Sequence, residues 1–232
     1  MTTLDTTSAL VDQIAATIRG MIMSGEIPIG AQLGQAELAK QLGVSRTPIR
    51  EALRQLQSNG LIEVVPHRGA IVRVPAPWEV REAYEVRAEL EGLACERAVD
   101  RIDSGTLDEL RETNRILRES ARPVSPAPGE VAPSTRANDR FHTLIHEVSG
   151  NDRLGRTIIQ LNEAFPRNVS ARLLQENARH REDNVREHEE IVEALARGDR
   201  AAAREAMRRH VVNAGEQLAR WYERRTSTVF TG

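Results

Sequence analysis

A glycine turn at residue 43, between two short helical patterns, constrains the fold of this chain more than any other feature. A helix is predicted over about Gln35–Leu42, and Gly43 ends it because glycine adopts the left-handed conformation easily. Ser45 is a favourable N-cap for the next helix, and Pro48 lies in its first turn, where no intrahelical N–H is lost. Two helices joined by so tight a turn indicate a helix-turn-helix.

Two short strand-like runs follow the second of these helices. They cover residues 61–65 and 70–74, and between them lies Pro66-His67-Arg68-Gly69, a tight turn with a basic tip. A two-stranded hairpin after a helix-turn-helix is typical of a winged helix, and the prolines that follow predict a linker.

Beyond the linker, the sequence predicts helices only, with a proline-rich loop at 122–135. Aromatic residues make up 3% of the chain, which favours helices with aliphatic seams over a β-sandwich. The expected fold is mainly α, an N-terminal winged helix-turn-helix followed by an all-helical bundle. The predicted segments are a flexible tail at 1–7, the winged domain at 8–74, a linker at 75–78, the helical domain at 79–223 and a tail at 224–232.

The charge and cysteine content narrow the possible functions. The net charge is −2, so a protein of this kind that binds nucleic acid must concentrate its positive charge locally. The single cysteine, Cys95, excludes an intrachain disulfide and fits a reducing compartment. No segment resembles a signal peptide or approaches the roughly 20 apolar residues that span a bilayer. We therefore expect a cytoplasmic protein without a membrane segment.

The start of the second helix presents side chains suited to duplex DNA. In a helix-turn-helix, this end reaches base edges in the major groove. Arginine can donate two parallel hydrogen bonds to guanine, and hydroxyl groups suit phosphate oxygens. The alternative is that Ser45 only caps the helix and the arginines are solvated; the basic hairpin tip argues against it. The predicted DNA-binding residues are Ser45, Arg46, Thr47, Arg50, His67, Arg68 and Gly69.

Residues 8–74 resemble the winged-helix domain of the GntR family of bacterial transcription regulators. The resemblance is carried by Leu42-Gly43-Val44-Ser45-Arg46-Thr47-Pro48-Ile49-Arg50-Glu51-Ala52-Leu53, by Asn59-Gly60-Leu61 and by Pro66-His67-Arg68-Gly69-Ala70. The sequence departs from the family at Gly34-Gln35-Ala36, where a helix cap and an arginine are usual. We therefore expect no DNA contact from Ala36. Two-fold symmetry of a homodimer would match a palindromic operator in double-stranded DNA.

Three histidines in separate predicted helices form a second candidate site. They are His142, His188 and His210, and Asn138 lies four residues before His142 on the same helix face. Such side chains could converge on a divalent cation inside a bundle. A histidine on a helix is more often exposed or a hydrogen-bonded core residue, so the spacing alone leaves both interpretations open.

The C-terminal part of the chain also resembles a known domain. About residues 79–222 are similar to the FCD effector domain of the largest GntR subfamily. The resemblance is carried by Phe141-His142, by Ser149-Gly150-Asn151 and by the two later histidines. The resemblance implies a divalent metal ion, with zinc the expected one. The implied ligands are Asn138, His142, His188 and His210. His146, one turn after His142, could be an alternative ligand, but the family does not usually have one there, and we interpret it as surface or pocket lining.

The same resemblance implies that the effector is a small organic acid. Arg87 matches a recurrent arginine of the first effector-domain helix and is the first candidate to bind the carboxylate. Asn213, one turn beyond His210, is a weaker candidate. A pair between Arg87 and Glu91, one turn apart, is an alternative of equal weight.

These observations predict a ligand-responsive, sequence-specific transcription regulator, with repression of a metabolic operon as the expected mode, and not an enzyme. A metal-dependent enzyme is one alternative, but it needs a general base beside the metal and no His-Glu-x-x-His motif is present. An effector-independent DNA-binding protein is the other alternative.

Overall fold

The structure is a computed structural model of the 232-residue chain. It describes residues 3–120, 132–162, 165, 169–170, 173–174 and 177–229. The chain divides into two compact units, of which the first covers Met1–Val74 and the second most of the chain from Pro75 onward. The predicted class, a mainly helical fold with an N-terminal winged helix-turn-helix and a C-terminal helical domain, is confirmed.

The first unit contains three helices and a hairpin among its described residues. Helix α1 extends further toward the N-terminus than the pattern predicted, because no glycine or proline between residues 3 and 8 interrupts it. Part of the predicted tail at 1–7 is therefore helical. The elements are α1 (Thr3–Ser24), α2 (Gln35–Leu42), α3 (Arg46–Ser58), β1 (Ile62–Val65) and β2 (Gly69–Val72).

The core of the first unit determines which face of α3 is presented to solvent. Ile49, Leu53 and Leu56 recur at helical spacing and are buried against α1, whose Ile18 has no exposed surface. The polar residues at the start of α3 lie on the other side of the helix and are exposed. Burial of the aliphatic face thus orients the predicted DNA-binding face outward.

The hairpin is antiparallel, and its register pairs Ile62 with Val72 and Val65 with Gly69. A third segment joins it, because Gln32 forms a bridge with Ile71 and the backbone oxygen of Ala70 accepts a hydrogen bond from Leu33 at 2.8 Å. The sequence predicted no strand in this region. The segment is too short to show the alternation of apolar and polar residues by which a strand is recognised.

The second unit is entirely helical in its described residues. Helix α4 begins within the predicted linker because Pro77 is favourable in the first helical turn, and the last helix continues into the predicted tail. The predicted loop at 122–135 lies outside the described residues up to 131 and is helical from Pro133. The elements are α4 (Pro77–Ala98), α5 (Ser104–Glu119), α6 (Pro133–Val148), α7 (Asp152–Asn162), α8 (Ala178–Ala196) and α9 (Arg200–Val229). None of the helices described combines the length and apolar character needed to cross a membrane.

Two glycines allow α4 and α9 to approach closely. A Cβ atom at Gly215 would lie 2.6 Å from Cγ of Tyr84, and one at Gly92 would lie 3.1 Å from the backbone oxygen of Arg204. Side chains at either position would force the helices apart or displace their neighbours. The pair α4–α9 therefore forms a tightly packed part of the unit, on which the other helices are arranged.

We expect Gly215→Ala to destabilise the second unit by about 1–3 kcal/mol, the usual cost of overpacking a core. Thermal unfolding followed by circular dichroism measures the change. Gly155→Ala in α7 is the control, since the nearest atom would lie 3.8 Å from its added Cβ. Equal melting temperatures for wild type and Gly215→Ala would contradict this account of the packing.

Candidate nucleic-acid interface and metal centre

The start of α3 presents its polar side chains to solvent. Ser45 is the N-cap, with φ −74° and ψ 166°, but its side chain makes no capping hydrogen bond. Its hydroxyl therefore remains available to a ligand. Arg46, Thr47 and Arg50 are exposed as well. Arg50 lies 3.4 Å from Glu51, but both side chains are more than a third exposed, so this ion pair is weak.

The hairpin tip is also exposed. His67 adopts a left-handed backbone conformation with φ 63°, and Gly69 follows with φ 74°. The amide of Arg68 donates to the oxygen of Val65 at 3.1 Å, which closes the turn and holds the Arg68 side chain at its tip. A basic tip of this kind suits phosphate or a minor groove. The structure therefore places all seven predicted DNA-binding residues at the surface of the first unit.

Three histidine side chains meet in the interior of the second unit. His142 comes from α6, His188 from α8 and His210 from α9, and all three are buried. The Nε2 atoms of His188 and His210 lie 3.2 Å apart, and those of His210 and His142 lie 3.3 Å apart. Phe141 stacks on the His188 ring with 3.8 Å between centroids, which holds that ring in place. The convergence that spacing alone left open is thus present.

Each of these rings also contacts an oxygen atom through Nδ1, the nitrogen that does not face the other histidines. Because oxygen atoms accept at Nδ1, each ring carries its proton there and presents the lone pair of Nε2 to the centre. Three lone pairs facing one another repel unless a cation lies between them. The Nδ1 contacts are His142 with Glu91 at 2.5 Å, His188 with Asn114 at 2.8 Å and His210 with Glu187 at 2.8 Å.

This donor set fits a divalent metal ion. Zinc binds histidine nitrogen at about 2.0–2.1 Å in tetrahedral sites, which places neighbouring ligands about 3.3 Å apart. The observed Nε2 separations of 3.2 and 3.3 Å agree with that spacing. Asn138, one turn before His142, has a buried Oδ1 without a hydrogen-bond partner. An unpartnered buried oxygen of this kind is compatible with a ligand, and the ligand role of Asn138 stays a prediction.

Burial controls the charge of the groups at the centre. It lowers the pKa of His142, although Glu91 opposes the effect, and it lowers the pKa of His188 further, assisted by the other two histidines. Neutral imidazoles are the form that binds metal. Burial alone would raise the pKa of Glu91, but His142 and Arg87 outweigh it and hold that pKa well below its usual range. Glu91 therefore stays ionised.

The two predicted effector-binding residues contact carboxylates that support the histidines. Nε of Arg87 donates to Glu91 at 2.7 Å, and its guanidinium lies 4.6 Å from the centre of the Tyr84 ring. Asn213 is exposed, and its amide donates to Glu187 at 2.6 Å. Pairing of Arg87 with Glu91, the alternative given above, is the arrangement that the structure shows.

The structure adds three supporting residues to the predicted ligands. Asn114 and Glu187 gave no sequence signal, and Glu91 was expected only as a partner of Arg87, whereas it also contacts His142. His146 lies against Glu91, with 3.5 Å between its Nε2 and the carboxylate, and that nitrogen has no hydrogen bond. Glu91, His142 and His146 therefore form a second cluster of possible ligands that shares His142 with the first.

Comparison with known proteins identifies the chain. Residues 10–72 match the model of the bacterial regulatory proteins of the gntR family, and residues 82–213 match the FCD domain. The chain belongs to the GntR family. Its members are DNA-binding transcriptional regulators and not enzymes, and the FCD domain binds effectors and is often associated with metal.

Several relatives align with this GntR regulator over most of its length. It is 30% identical to the uncharacterized HTH-type transcriptional regulator YdhC of Bacillus subtilis, over 87% of both chains. It is also 30% identical to a probable D-xylose utilization operon transcriptional repressor of Paenarthrobacter nicotinovorans, over 89% of this chain and 87% of that one. Among solved structures, Escherichia coli McbR/YncC is 25% identical with a TM-score of 0.69, over 92% of this chain and 98% of the other.

We expect Arg50→Ala to weaken operator binding about 10- to 100-fold, because a bidentate contact to guanine contributes about 1–3 kcal/mol. Fluorescence anisotropy with an operator duplex, selected from random sequences with the wild-type protein, measures the affinity. Arg54→Ala is the matched control, since Arg54 is 68% exposed one turn further along α3. Equal affinities for the two variants would show that Arg50 does not read the operator.

We expect His188→Ala to lose most of the bound zinc, because it removes one of three converging nitrogens. Zinc content after dialysis is measured by mass spectrometry, and circular dichroism verifies the fold. His180→Ala is the control, since His180 lies outside both clusters of possible ligands. A full complement of zinc in His188→Ala would exclude His188 from the ligand set.

Proposed function

We propose that this GntR regulator is a cytoplasmic homodimeric repressor of a metabolic operon, released from its operator by a small organic acid that binds at a zinc centre. The observation that carries the proposal is the convergence of three Nε2 atoms whose Nδ1 partners are all oxygen acceptors. The ligand set is Asn138, His142, His188 and His210. Repression is favoured because two relatives of similar length are named as repressors.

Zinc held by these four side chains would have to accept a fifth ligand, one oxygen of the acid, to supply a Lewis-acid contact there. The chain's own contribution is to orient the imidazoles and to offer a cation nearby. Arg87 is that cation, since it is largely buried and its partner Glu91 also holds His142. An incoming carboxylate that bonds the guanidinium of Arg87 would compete with Glu91 for it. Effector binding would therefore alter the support of His142.

DNA binding in this proposal uses the exposed start of α3 and the hairpin tip. Two copies of the first unit would contact two half-sites of a palindromic operator. The effector needs only to bind the operator-competent and the released states unequally to shift the balance between them. Coupling of about 1–3 kcal/mol is typical of such regulators and corresponds to a 5- to 150-fold change in operator affinity.

The test begins with a thermal-shift screen of zinc-loaded protein against small organic acids. An acid that stabilises the protein is then added to the protein–operator complex, and release is followed by fluorescence anisotropy. We expect at least one acid to do both. If stabilising acids leave operator affinity unchanged, the effector role fails, while the zinc content still reports separately on the metal centre.

We expect Arg87→Lys to weaken effector binding about tenfold while zinc content and free operator affinity stay at wild-type levels. Lysine keeps a positive charge beside Glu91 but lacks the planar fork that clamps a carboxylate. Isothermal titration with the acid identified above measures the affinity. Arg111→Lys is the matched control, because Arg111 forms an exposed ion pair with Asp108. Unchanged effector affinity in Arg87→Lys would remove Arg87 from the effector site.

A further inference from the structure

Three buried side-chain oxygens of α6 and α8 have no hydrogen-bond partner among the described residues. They are Oδ1 of Asn138, Oδ1 of Asn184 and Oγ1 of Thr135. Roughly nine-tenths of the buried polar groups in folded proteins are hydrogen-bonded, so several unpaired ones in one domain indicate a bound molecule. Asn138 belongs to the proposed zinc ligands, whereas Asn184 and Thr135 have no part in that centre. These two residues are only 5% and 9% exposed.

Both residues share a helix face with a histidine of the candidate metal centre. Asn184 precedes His188 by four residues on α8, and Thr135 precedes His142 by seven on α6. Both intervals return to the same face of a helix. A helix rises about 1.5 Å per residue, so Asn184 lies about 6 Å and Thr135 about 10 Å from the level of the histidines along the helix axes.

Both residues also lie on the same side of the histidines, because α6 and α8 run in the same direction. Along α4 and α6, later residues contact later residues, so these two helices are parallel. Along α9, later residues contact earlier residues of both α4 and α8, so α9 is antiparallel to both. Helix α8 is therefore parallel to α4 and α6. The contacts are Glu91–His142 and Arg97–Ser149, Arg81–Glu216 and Glu96–Arg204, and Glu187–Asn213 and Glu190–Arg209.

Arg87 lies on this side as well, because it precedes Glu91 by one turn on α4. The level one turn before the histidines therefore holds a guanidinium from α4 and the amides of Asn138 and Asn184 from α6 and α8. The hydroxyl of Thr135 lies one turn further along α6. In the proposed effector site the carboxylate of the acid binds at Arg87. The remainder of the molecule then extends past Asn184 toward Thr135.

The unpaired groups determine which chemical groups this remainder must carry. An amide oxygen accepts a hydrogen bond and the amide nitrogen beside it donates one, and a hydroxyl group of a ligand can satisfy either. A methylene chain would leave the oxygens of Asn184 and Thr135 unpaired, at a cost in free energy. An ammonium group only donates, and it would lie near the guanidinium of Arg87, where like charges repel. Hydroxyl groups meet the requirement.

We propose that the effector is a sugar acid, a monocarboxylic acid whose carbon chain carries several hydroxyl groups. One hydroxyl bonds the amide of Asn184, and another, further along the chain, bonds the hydroxyl of Thr135. The inference rests on the proposed function and narrows its small organic acid to this class. Asn184 then selects the hydroxylated chain, and Thr135 selects its length.

Isothermal titration of the zinc-loaded, full-length protein with matched pairs of acids tests the class of effector. Gluconate, galactonate and xylonate are the sugar acids, and hexanoate and pentanoate are their unsubstituted analogues. At least one sugar acid should bind about tenfold tighter than its analogue, because two buried oxygens gain partners. No such preference in any pair would overturn the proposal. Tighter binding of the dicarboxylate adipate than of every sugar acid would overturn it too.

Asn184→Leu tests the residue that selects the hydroxylated chain. Leucine keeps the branched shape of asparagine but its side chain forms no hydrogen bonds. The preference for the sugar acid over its analogue should fall about tenfold, while zinc content and the circular dichroism spectrum stay at wild-type values. An unchanged preference would show that ordered water, and not the effector, satisfies Asn184.

Thr135→Val removes one hydroxyl and little else. It should weaken binding of the sugar acid about fivefold, since one hydrogen bond to the ligand is lost. Thr157→Val on α7 is the matched control, because Oγ1 of Thr157 already donates to the backbone oxygen of Arg153 at 3.0 Å. Equal effects of the two variants on the affinity would remove Thr135 from the site.

Failure of the sugar-acid class can be distinguished from failure of the proposed effector site. If an acid of another class binds and releases the operator while no sugar acid is preferred, only the sugar-acid class is wrong. If no acid of any class binds the zinc-loaded protein, the effector site itself is wrong. Zinc content reports separately on the metal centre in both cases.

Discussion

The buried carboxylate of Glu91 is the constraint on which the candidate site depends. An ionised carboxylate removed from water costs several kcal/mol unless charged or hydrogen-bonding groups surround it. Arg87, one turn earlier on α4, and His142, from α6, meet that requirement at 2.7 and 2.5 Å. One anion thereby holds an arginine beside the centre and keeps the proton of His142 on Nδ1. Removing that anion would leave a buried guanidinium without its partner and His142 without its orienting acceptor.

The first unit separates stability from recognition by assigning them to opposite faces of one helix. Ile49 and Leu56 have no exposed surface, whereas Arg46 and Arg50 on the same helix are exposed. Substitutions on the exposed face therefore leave the apolar packing intact. A regulator built this way can change the operator it binds while its stability stays nearly constant.

The winged unit could be predicted more closely from sequence than the helical one, because its signals are local. Gly43 ends α2 in the left-handed conformation, with φ 67°, at the position that the turn pattern indicated. The bridge at Gln32 depends on a partner, Ile71, that is about forty residues away in the sequence, so no local pattern indicated it. In the helical unit, spacing placed Asn138 and His142 on one face but could not show that three helices meet. Asn114 and Glu187 acquire their roles only from that meeting.

The histidine cluster joins helices that are far apart in the chain. Glu91, Asn114 and His142 come from α4, α5 and α6, while His188 and His210 come from α8 and α9. An ion held at such a point is bound by the folded bundle and scarcely by the unfolded chain. Its binding free energy is therefore added to the folding free energy, and the melting temperature rises with the logarithm of the free ion concentration. With zinc bound as proposed, the lifetime of the protein in the cell would depend on metal supply as well as on the effector.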